Sequence, residues 1–256
     1  MQTLHVIMNQ QHLERDRLPG KTVVVLDVLF ATTTIAMALH HGARDVLTVA
    51  EVDEARRYEG EGVILAGEKD AEIPDGFDTF APEALSRRPL AGKRPVLVST
   101  NGTVALANSR GAAAVYTAAL VNNGAVASHL VDHHRDGTIL LVCSASRHRF
   151  NIEDFIGAGL LVEALVSAAP DRFALTDAAL AARTLGASAD ITGTLRNSRV
   201  GRMMHAMDLD ADIDLAATVD LYDVVPGLEG EALVATGRRA PRPLIECPAG
   251  PSILRP

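Results

Sequence analysis

Short apolar runs recur along the chain, and most are followed by a stretch whose apolar positions have helical spacing. Runs of this length are typical of strands that are covered on both faces. A long helix is predicted over residues 152–167, where apolar residues recur every three or four positions. Strands alternating with helices indicate an α/β sheet covered on both faces. The predicted strands cover residues 4–8, 23–26, 45–50, 63–68, 95–100, 113–118 and 138–143, and shorter helices are predicted over 51–58, 82–88 and 104–109.

The C-terminal third has a different pattern. Residues 177–209 are predicted to be mainly helical, and residues 231–236 to add an antiparallel edge strand to the sheet. There is no repeat and no linker-like stretch in the sequence. We therefore predict one domain over residues 1–256, with a mainly helical subregion at 177–230.

Composition and charge narrow the choice of partners. Apolar residues make up 48% of the chain, which indicates a globular protein, and the net charge is −8. The longest basic run is Arg147–Arg149, so nucleic acid and anionic membranes are poor partners. The start of the chain does not resemble a secretory signal, and no window is apolar enough for a membrane span, so we expect a cytoplasmic protein. An acidic chain that binds phosphate must gather positive charge locally, from a few Arg or Lys residues or from a metal.

The strand at 23–26 is followed at once by a carboxylate and then by a run of hydroxyls. Asp27 directly follows the apolar run, and Thr32, Thr33 and Thr34 begin the next predicted helix. Free backbone N–H groups at a helix start, together with the helix dipole, favour phosphate. The pattern indicates a metal-assisted phosphate site, although a surface Asp and a simple helix cap would give the same pattern.

Three further strands end in polar groups. Since ligands of open α/β sheets bind outside the carboxyl ends of the strands, we expect these groups to meet at one edge of the sheet. Carboxylates from separate strands suit Mg²⁺, which keeps water and phosphate oxygens in its coordination shell. The three groups are Glu68-Lys69-Asp70, the turn Ser99-Thr100-Asn101-Gly102-Thr103, and the segment 143–149, which leads to Glu153 and Asp154.

In their order along the chain, these segments resemble the sequence blocks of the 2-phosphosulfolactate phosphatase family. The resemblance covers roughly residues 3–230. It implies a three-layer α/β/α fold with a mixed, largely parallel sheet and Mg²⁺-dependent hydrolysis of a phosphate monoester. The blocks are 27–35, 66–69, 76–78, 99–103, 152–159 and 199–202, followed by Asp212-Ile213, Asp220 and Val225-Pro226.

The chain departs from the family pattern at several positions. Phe30 and Lys69 stand where the family usually has Arg, and residues 79–82 replace a Gly-Asn-Ser-Pro loop with one residue fewer. Cys143-Ser-Ala replaces the Cys-Ala-Gly start of a glycine-rich loop. Because Lys cannot fully replace a bidentate guanidinium, we hypothesise that Arg147–Arg149 supplies the missing positive charge and that the substrate is not phosphosulfolactate.

Two other functions stay open at this point. Cys143 and Arg149 have the spacing of a thiolate phosphatase cradle, although a buried structural cysteine is the simpler interpretation. The chain could also bind a phosphorylated ligand without turning it over. His129 and His133, four residues apart on a helix, could bind a metal, but an exposed polar face explains them as well.

We therefore assign provisional roles. Asp27 and Glu68 are the first-choice Mg²⁺ ligands, with Asp154 or Glu153 as a further ligand or as the base. Lys69, Arg147 and Arg149 would offset charge on the transferred group. The expected ligand is a small phosphorylated molecule, and a homodimer is left open. The predicted phosphate-binding residues are Thr32, Thr33, Thr34, Ser99, Thr100, Asn101, Gly102, Thr103, Cys143, Arg147 and Arg149.

Overall fold

The computed structural model describes residues 1–70, 72–146 and 148–236, and its strands form one sheet in the order β4-β5-β3-β10-β9-β6-β2-β7-β1-β8. The strands are β1 Gln2–Ile7, β2 Thr22–Leu26, β3 Val46–Val49, β4 Val63–Gly67, β5 Arg94–Val98, β6 Ala114–Ala118, β7 Thr138–Cys143, β8 Phe173–Leu175, β9 Pro226–Glu229 and β10 Ala232–Ala235. The helices are α1 Ala31–His40, α2 Val52–Arg56, α3 Pro82–Ser86, α4 Gly102–Ser109, α5 Asn123–His133, α6 Ile152–Ala168, α7 Asp177–Ser188, α8 Ile191–Asn197, α9 Arg199–His205 and α10 Asp210–Ala217.

The central strand β2 shows why the chain forms three layers. All five of its residues are buried, and successive side chains point to opposite faces of the sheet. Val23 and Val25 pack in a core with α1, α3 and α4, whereas Val24 and Leu26 pack in a second core with α5, α6 and α7. The predicted α/β fold with helices on both faces is confirmed.

The sheet consists of two parallel halves that run in opposite directions. One half is β6-β2-β7-β1-β8 and the other is β4-β5-β3. The hairpin β9–β10 lies between them and pairs antiparallel with β6 on one side and with β3 on the other. The sheet is therefore mixed and largely parallel, as expected. In a flat sheet, however, the carboxyl ends of the two halves would lie at opposite edges.

Those ends nevertheless converge, and the usual twist of a sheet accounts for it. A sheet rotates by about 20–25° per strand, so the five steps from β5 to β2 turn the strand direction by roughly 100–125°. Helix α1 packs against β3, β6, β9 and β10 on the same face. The chain after β5 accordingly reaches the chain after β2: a Cβ added at Gly102 would lie 2.5 Å from Asp27 Oδ2. Our premise of a single shared sheet edge was wrong, but the strand ends still converge.

The C-terminal strand prediction was also wrong in its position. The strand predicted at 231–236 is β10, and it lies inside the sheet rather than at its edge. Its partner β9 and the short edge strand β8 were not predicted. All three are only three or four residues long, too short for periodicity to reveal their neighbours. Helices α7, α8 and α9 confirm the mainly helical stretch at 177–209.

Candidate active site

A cavity of about 430 Å³ opens where the two halves of the sheet converge. Its polar side is supplied by the chain after β2, β4, β5 and β7, together with the first residue of α9. Its apolar side is supplied by the loop before α1, by Phe80 and by α9. The polar lining side chains include Asp27, Glu68, Asp70, Ser99, Thr100, Asn101, Ser146, Arg149 and Arg199, and the apolar ones include Leu29, Phe30, Phe80, Val200, Met203 and Met204.

Asp27 lies at the floor of this cavity and is only 6% exposed. Its backbone N–H donates to Thr32 Oγ1 at 3.0 Å, and its carbonyl accepts from the Thr32 hydroxyl at 2.9 Å and from the Thr32 amide at 3.0 Å. These bonds fix the tight connection between β2 and α1. The carboxylate is thereby held against Gly102 at the start of α4.

Four carboxyl groups from three segments influence one another here. Burial raises the pKa of Asp27 well above its ordinary value, and the charges of Asp154, Glu68 and Glu153 raise it further, against a lowering hydrogen bond from Ser144. Burial likewise raises the pKa of Glu153 to about 7, and Asp154 adds to the effect. So much negative charge in one place demands a proton or a cation. Oxygen donors with this charge suit a hard divalent ion.

Asp154 is fully buried, and both of its oxygens are occupied by hydrogen bonds. Oδ1 accepts from the Val28 amide at 2.9 Å, and Oδ2 accepts from the Ser144 hydroxyl and the Ala145 amide, each at 3.2 Å. Asn151 Nδ2 adds a contact at 3.5 Å. Burial raises the pKa of Asp154 to about 6 although these donors lower it. The geometry makes Asp154 a brace between the loops after β2 and β7.

Glu68 is held by one residue of the neighbouring strand end. Its Oε1 accepts from the Thr100 amide at 2.7 Å, and its Oε2 accepts from the Thr100 hydroxyl at 3.0 Å. The same hydroxyl oxygen accepts from the Asp70 amide at 3.0 Å. The carboxylate thus faces the cavity in a fixed orientation.

The three threonines of α1 have a different role from the one predicted. The Thr33 hydroxyl donates to the Val28 carbonyl and the Thr34 hydroxyl to the Phe80 carbonyl. The Thr32 and Thr34 amides donate to the carbonyls of Asp27 and Phe30. These groups hold the β2–α1 connection, and the structure does not direct them at a ligand, although Thr34 contributes to the cavity wall.

The turn after β5 is likewise stabilised by its own side chains. Ser99 Oγ accepts from the amides of Asn101 and Gly102, and the Thr103 hydroxyl donates to the Ser99 carbonyl at 2.7 Å. Ser99, Thr100 and Asn101 line the cavity, whereas Thr103 is buried. Gly102 matters for a steric reason, because its missing Cβ leaves room for the Asp27 carboxylate.

Gly102→Ala should therefore impair the site without unfolding the chain. The new Cβ would lie 2.5 Å from Asp27 Oδ2 and 2.6 Å from Ala31 Cβ, so the carboxylate must move. We expect a fall of about 100-fold in kcat/KM, the cost of a displacement of roughly 1 Å. Steady-state kinetics of the variant and of the parent, recorded side by side, measure it.

Gly124→Ala in α5 is the matched control. Its Cβ would also meet a carboxylate, Asp220 Oδ2 at 2.8 Å, but outside the cavity. We expect unchanged kcat/KM for this variant. Equal losses in the two variants would contradict the steric role of Gly102.

The cationic side chains that were predicted to offset charge on the transferred group do not all lie at the cavity. Lys69 Nζ lies 3.0 Å from both the Ala50 carbonyl and Glu51 Oε1, and is engaged there rather than in the cavity. Arg147 lies outside the described residues. Arg149 lines the mouth of the cavity, in a turn closed by hydrogen bonds to Ser146. Arg199 was not predicted: it lines the cavity, and its Nη2 donates to Asn151 Oδ1 at 2.9 Å.

Cys143 does not fit the thiolate alternative. Its side chain is fully buried in the core that contains α5 and α6. Burial raises the pKa of the thiol well above its ordinary value, and the neighbouring charges of Asp154 and Glu153 raise it further. A reactive cysteine needs a lowered pKa and access to its substrate, so Cys143 is a core residue here.

Sequence reasoning missed most of the apolar side of the cavity. Phe30 and Phe80 were recognised only as departures from the family pattern, and their ring centroids lie 6.3 Å apart. Helix α9 received no role, although residues 199–202 matched a family block. That match, together with Ser198 as an N-cap whose side chain accepts from the Gly201 amide, was the available signal.

His129 and His133 of α5, and His134 directly after the helix, form a separate cluster with Tyr116. The Tyr116 hydroxyl is 2.8 Å from His134 Nε2 and 3.0 Å from His129 Nε2, and the His129 ring stacks on His133. Within the described part of the chain, no group of three or more His, Cys, Asp or Glu side chains is placed to hold a metal ion, here or at the cavity. The partner of His129 is therefore a tyrosine hydroxyl. An ion in the cavity would accordingly rest on one or two carboxylates, as is common for Mg²⁺.

Low pH should weaken the fold through His129. Burial lowers its pKa from 6.5 to about 4, with further lowering by His133 and His134 against a raising effect of Asp132. The native state thus favours the neutral ring. Its contribution to stability is complete above pH 6.5 and is lost as the pH falls from 6.5 to about 4. Urea midpoints across this window should fall less steeply in His129→Gln than in the parent.

The exposed His12 provides the control. His12→Gln should keep the parent pH dependence, because the substitution changes only an exposed side chain. Parallel curves for the parent and His129→Gln would contradict the assignment.

A family model described as 2-phosphosulpholactate phosphatase matches residues 7–231. The chain belongs to the 2-phosphosulfolactate phosphatase family. This confirms the resemblance stated from the sequence blocks.

Individual relatives agree with the family model. A protein of Thermotoga petrophila is 35% identical over 81% of this chain and 89% of its own length. One of Carboxydothermus hydrogenoformans is 34% identical over 85% of this chain and 92% of its own length. One of Clostridium botulinum is 29% identical over 90% of this chain and 98% of its own length. Each is named "Probable 2-phosphosulfolactate phosphatase".

The family and relatives carry names that indicate a phosphatase, that is, a phosphoric monoester hydrolase. Membership of the 2-phosphosulfolactate phosphatase family also suggests a divalent metal cofactor and a small phosphorylated substrate. Among the described helices, none is both long and apolar enough to span a bilayer.

Proposed function

We propose that the chain is a magnesium-dependent phosphatase that hydrolyses the phosphate monoester of a small hydroxy acid. The observation that carries the proposal is the convergence of Asp27 and Glu68, from oppositely directed halves of the sheet, on one cavity that also holds Arg149 and Arg199. Carboxylates beside guanidinium groups form the arrangement that a metal-assisted phosphoryl transfer needs.

The side chains fit a magnesium ion. The Asp27 and Glu68 carboxylates face the cavity, and Mg²⁺ commonly uses one or two carboxylates plus substrate phosphate oxygens and water. The raised pKa of Asp27, caused by burial and by neighbouring acids, supports a site that is completed by a cation. When bound, the ion would polarise the phosphoryl group and lower the pKa of a water molecule.

The roles of the other site residues follow from their hydrogen-bond partners and from their positions relative to the cavity. Arg149 and Arg199 hold the phosphoryl oxygens and offset the charge that develops on them. Neither acid of α6 lines the cavity, and of the two it is Glu153 that keeps a carboxylate oxygen available. Its pKa is about 7, and its Oε1 has no hydrogen-bond partner among the described residues. Asp154 was predicted as a further Mg²⁺ ligand or as the base; because both of its oxygens accept hydrogen bonds from the protein, we propose that it acts by positioning.

Release of inorganic phosphate tests the proposal. The full chain is incubated with O-phosphates of lactate and of 3-sulfolactate, with Mg²⁺, with EDTA, and with Mg²⁺ restored after EDTA. We expect turnover that EDTA abolishes and Mg²⁺ restores. Turnover that EDTA leaves unchanged would exclude the metal, and calorimetric binding without phosphate release would support the non-catalytic alternative.

A further inference from the structure

The cavity has two chemically different sides, and the proposed chemistry uses only one of them. The unused side, called the apolar wall, consists of Leu29, Phe30, Phe80, Val200, Met203 and Met204. Four of its members are nearly inaccessible to water, with exposures between 4% and 8%. The wall is continuous with the core cluster that contains α8, α9 and α10, so it is rigidly supported.

Helix α9 carries residues of both sides of the cavity, because Arg199 belongs to the charged side and Val200, Met203 and Met204 belong to the apolar wall. Arg199 and Met203 are four residues apart and so lie on one stripe of the helix, and Val200 and Met204 form the neighbouring stripe. Four residues correspond to about 6 Å along the axis. A ligand whose anionic group meets Arg199 at the helix start therefore places its other end beside Met203.

The described lining residues offer few positive partners to a second strong anion. Among the described lining residues, the guanidinium groups are those of Arg149 and Arg199, and both lie on the polar side with the carboxylates. A sulfonate packed on aromatic rings and methionines would lose its hydration without gaining donors, which is costly. An alkyl group in the same place would gain by burial.

We propose that the apolar wall selects the organic part of the substrate, so that the chain prefers phosphate esters of 2-hydroxy acids whose side chain is apolar. The proposal rests on the proposed phosphatase function and specifies its substrate class. Phe30 and Phe80 form the fixed part of the wall. Met203, which is 39% exposed, forms an adaptable part at the mouth of the cavity.

A substrate series tests this with the unaltered protein. The O-phosphates of lactate, 2-hydroxybutanoate, 2-hydroxy-4-methylpentanoate and 3-sulfolactate share the phosphate and carboxylate and differ only in the side chain. We expect kcat/KM to rise about fourfold for each methylene that is buried, with the sulfolactate ester no better than the lactate ester. A flat series, or preference for the sulfolactate ester, overturns the proposal while the phosphatase function stands. Failure to release phosphate from every ester overturns both.

A pair of methionine variants tests whether the preference for longer side chains arises at the apolar wall. Met203→Ser should reduce the gain per methylene, since a contact with the alkyl group of the substrate is lost. Met207→Ser is the matched control, because Met207 is 36% exposed and does not line the cavity. A steep series that is unchanged in Met203→Ser, or one that is flattened equally in both variants, would remove the wall from the explanation.

Discussion

Asp27→Asn is expected to lower kcat/KM on the order of 1000-fold while making the metal-free protein more stable. The substitution keeps the shape of the side chain and removes the charge on which a divalent ion would rely. In the absence of metal, that charge is buried among Asp154, Glu68 and Glu153, which raise the pKa of Asp27 together with burial. Removing it relieves both desolvation and repulsion.

Two measurements separate these effects. Urea unfolding in EDTA should show a higher unfolding free energy for Asp27→Asn than for the parent. Added Mg²⁺ should raise the melting temperature of the parent and leave that of the variant nearly unchanged, because a ligand stabilises only the state that binds it.

Asp212→Asn is the control for a buried carboxylate outside the cavity. Asp212 is 4% exposed and its Oδ1 accepts from the Glu83 amide at 2.7 Å. Its loss should leave kcat/KM and the magnesium response unchanged. If Asp27→Asn kept activity within tenfold of the parent, the proposed metal site would be wrong.

Asp154→Ala is expected to have the largest effect on stability. The change leaves the buried amides of Val28 and Ala145 without the acceptor they have in the native structure. An unsatisfied buried donor costs about 1–3 kcal/mol, so we expect the unfolding free energy to fall by about 3–5 kcal/mol in total. Activity should also fall, because the loop that carries Asp27 loses its brace.

Two further variants should lose less stability than Asp154→Ala. Asp154→Asn keeps one acceptor oxygen and should lose less stability than Asp154→Ala. Asp190→Ala removes an exposed cap that accepts from the Gly193 amide and should cost only about 0.5–2 kcal/mol. Hydrogen exchange at Val28 and Ala145 should accelerate selectively in Asp154→Ala. An ordinary hydrogen bond contributes a net value of about 1 kcal/mol. If the unfolding free energy of Asp154→Ala stayed within about 1 kcal/mol of the parent's, the bracing role would be refuted.

Local sequence patterns were enough to predict the layers of the fold and the positions where the strands end. Apolar runs such as 23–26 and 138–143 predicted buried strands because a strand covered on both faces has little room for polar groups. For the same reason, the carboxylates Asp27 and Glu68 marked where two strands stop. The candidate site could be placed near these residues from sequence alone.

The hydrogen-bond partners of individual polar side chains could not be predicted from these patterns. The Thr32, Thr33 and Thr34 hydroxyls bond to backbone carbonyls, and Lys69 reaches Glu51. A helix start with hydroxyls looks the same in sequence whether its donors face a ligand or their own backbone. Only the positions of the competing acceptors decide between the two.

The sequence by itself determined that this chain forms a layered α/β protein with carboxylates at the ends of several strands. Only the tertiary structure decided that two oppositely directed halves of the sheet, joined through the β9–β10 hairpin, bring those ends to one cavity. It also decided that Asp154 braces Val28 across 126 residues of chain and that α9 supplies half of the apolar wall. The physical reason is that hydrophobic periodicity records whether a residue is buried, whereas strand direction and long-range hydrogen bonds depend on which segments meet.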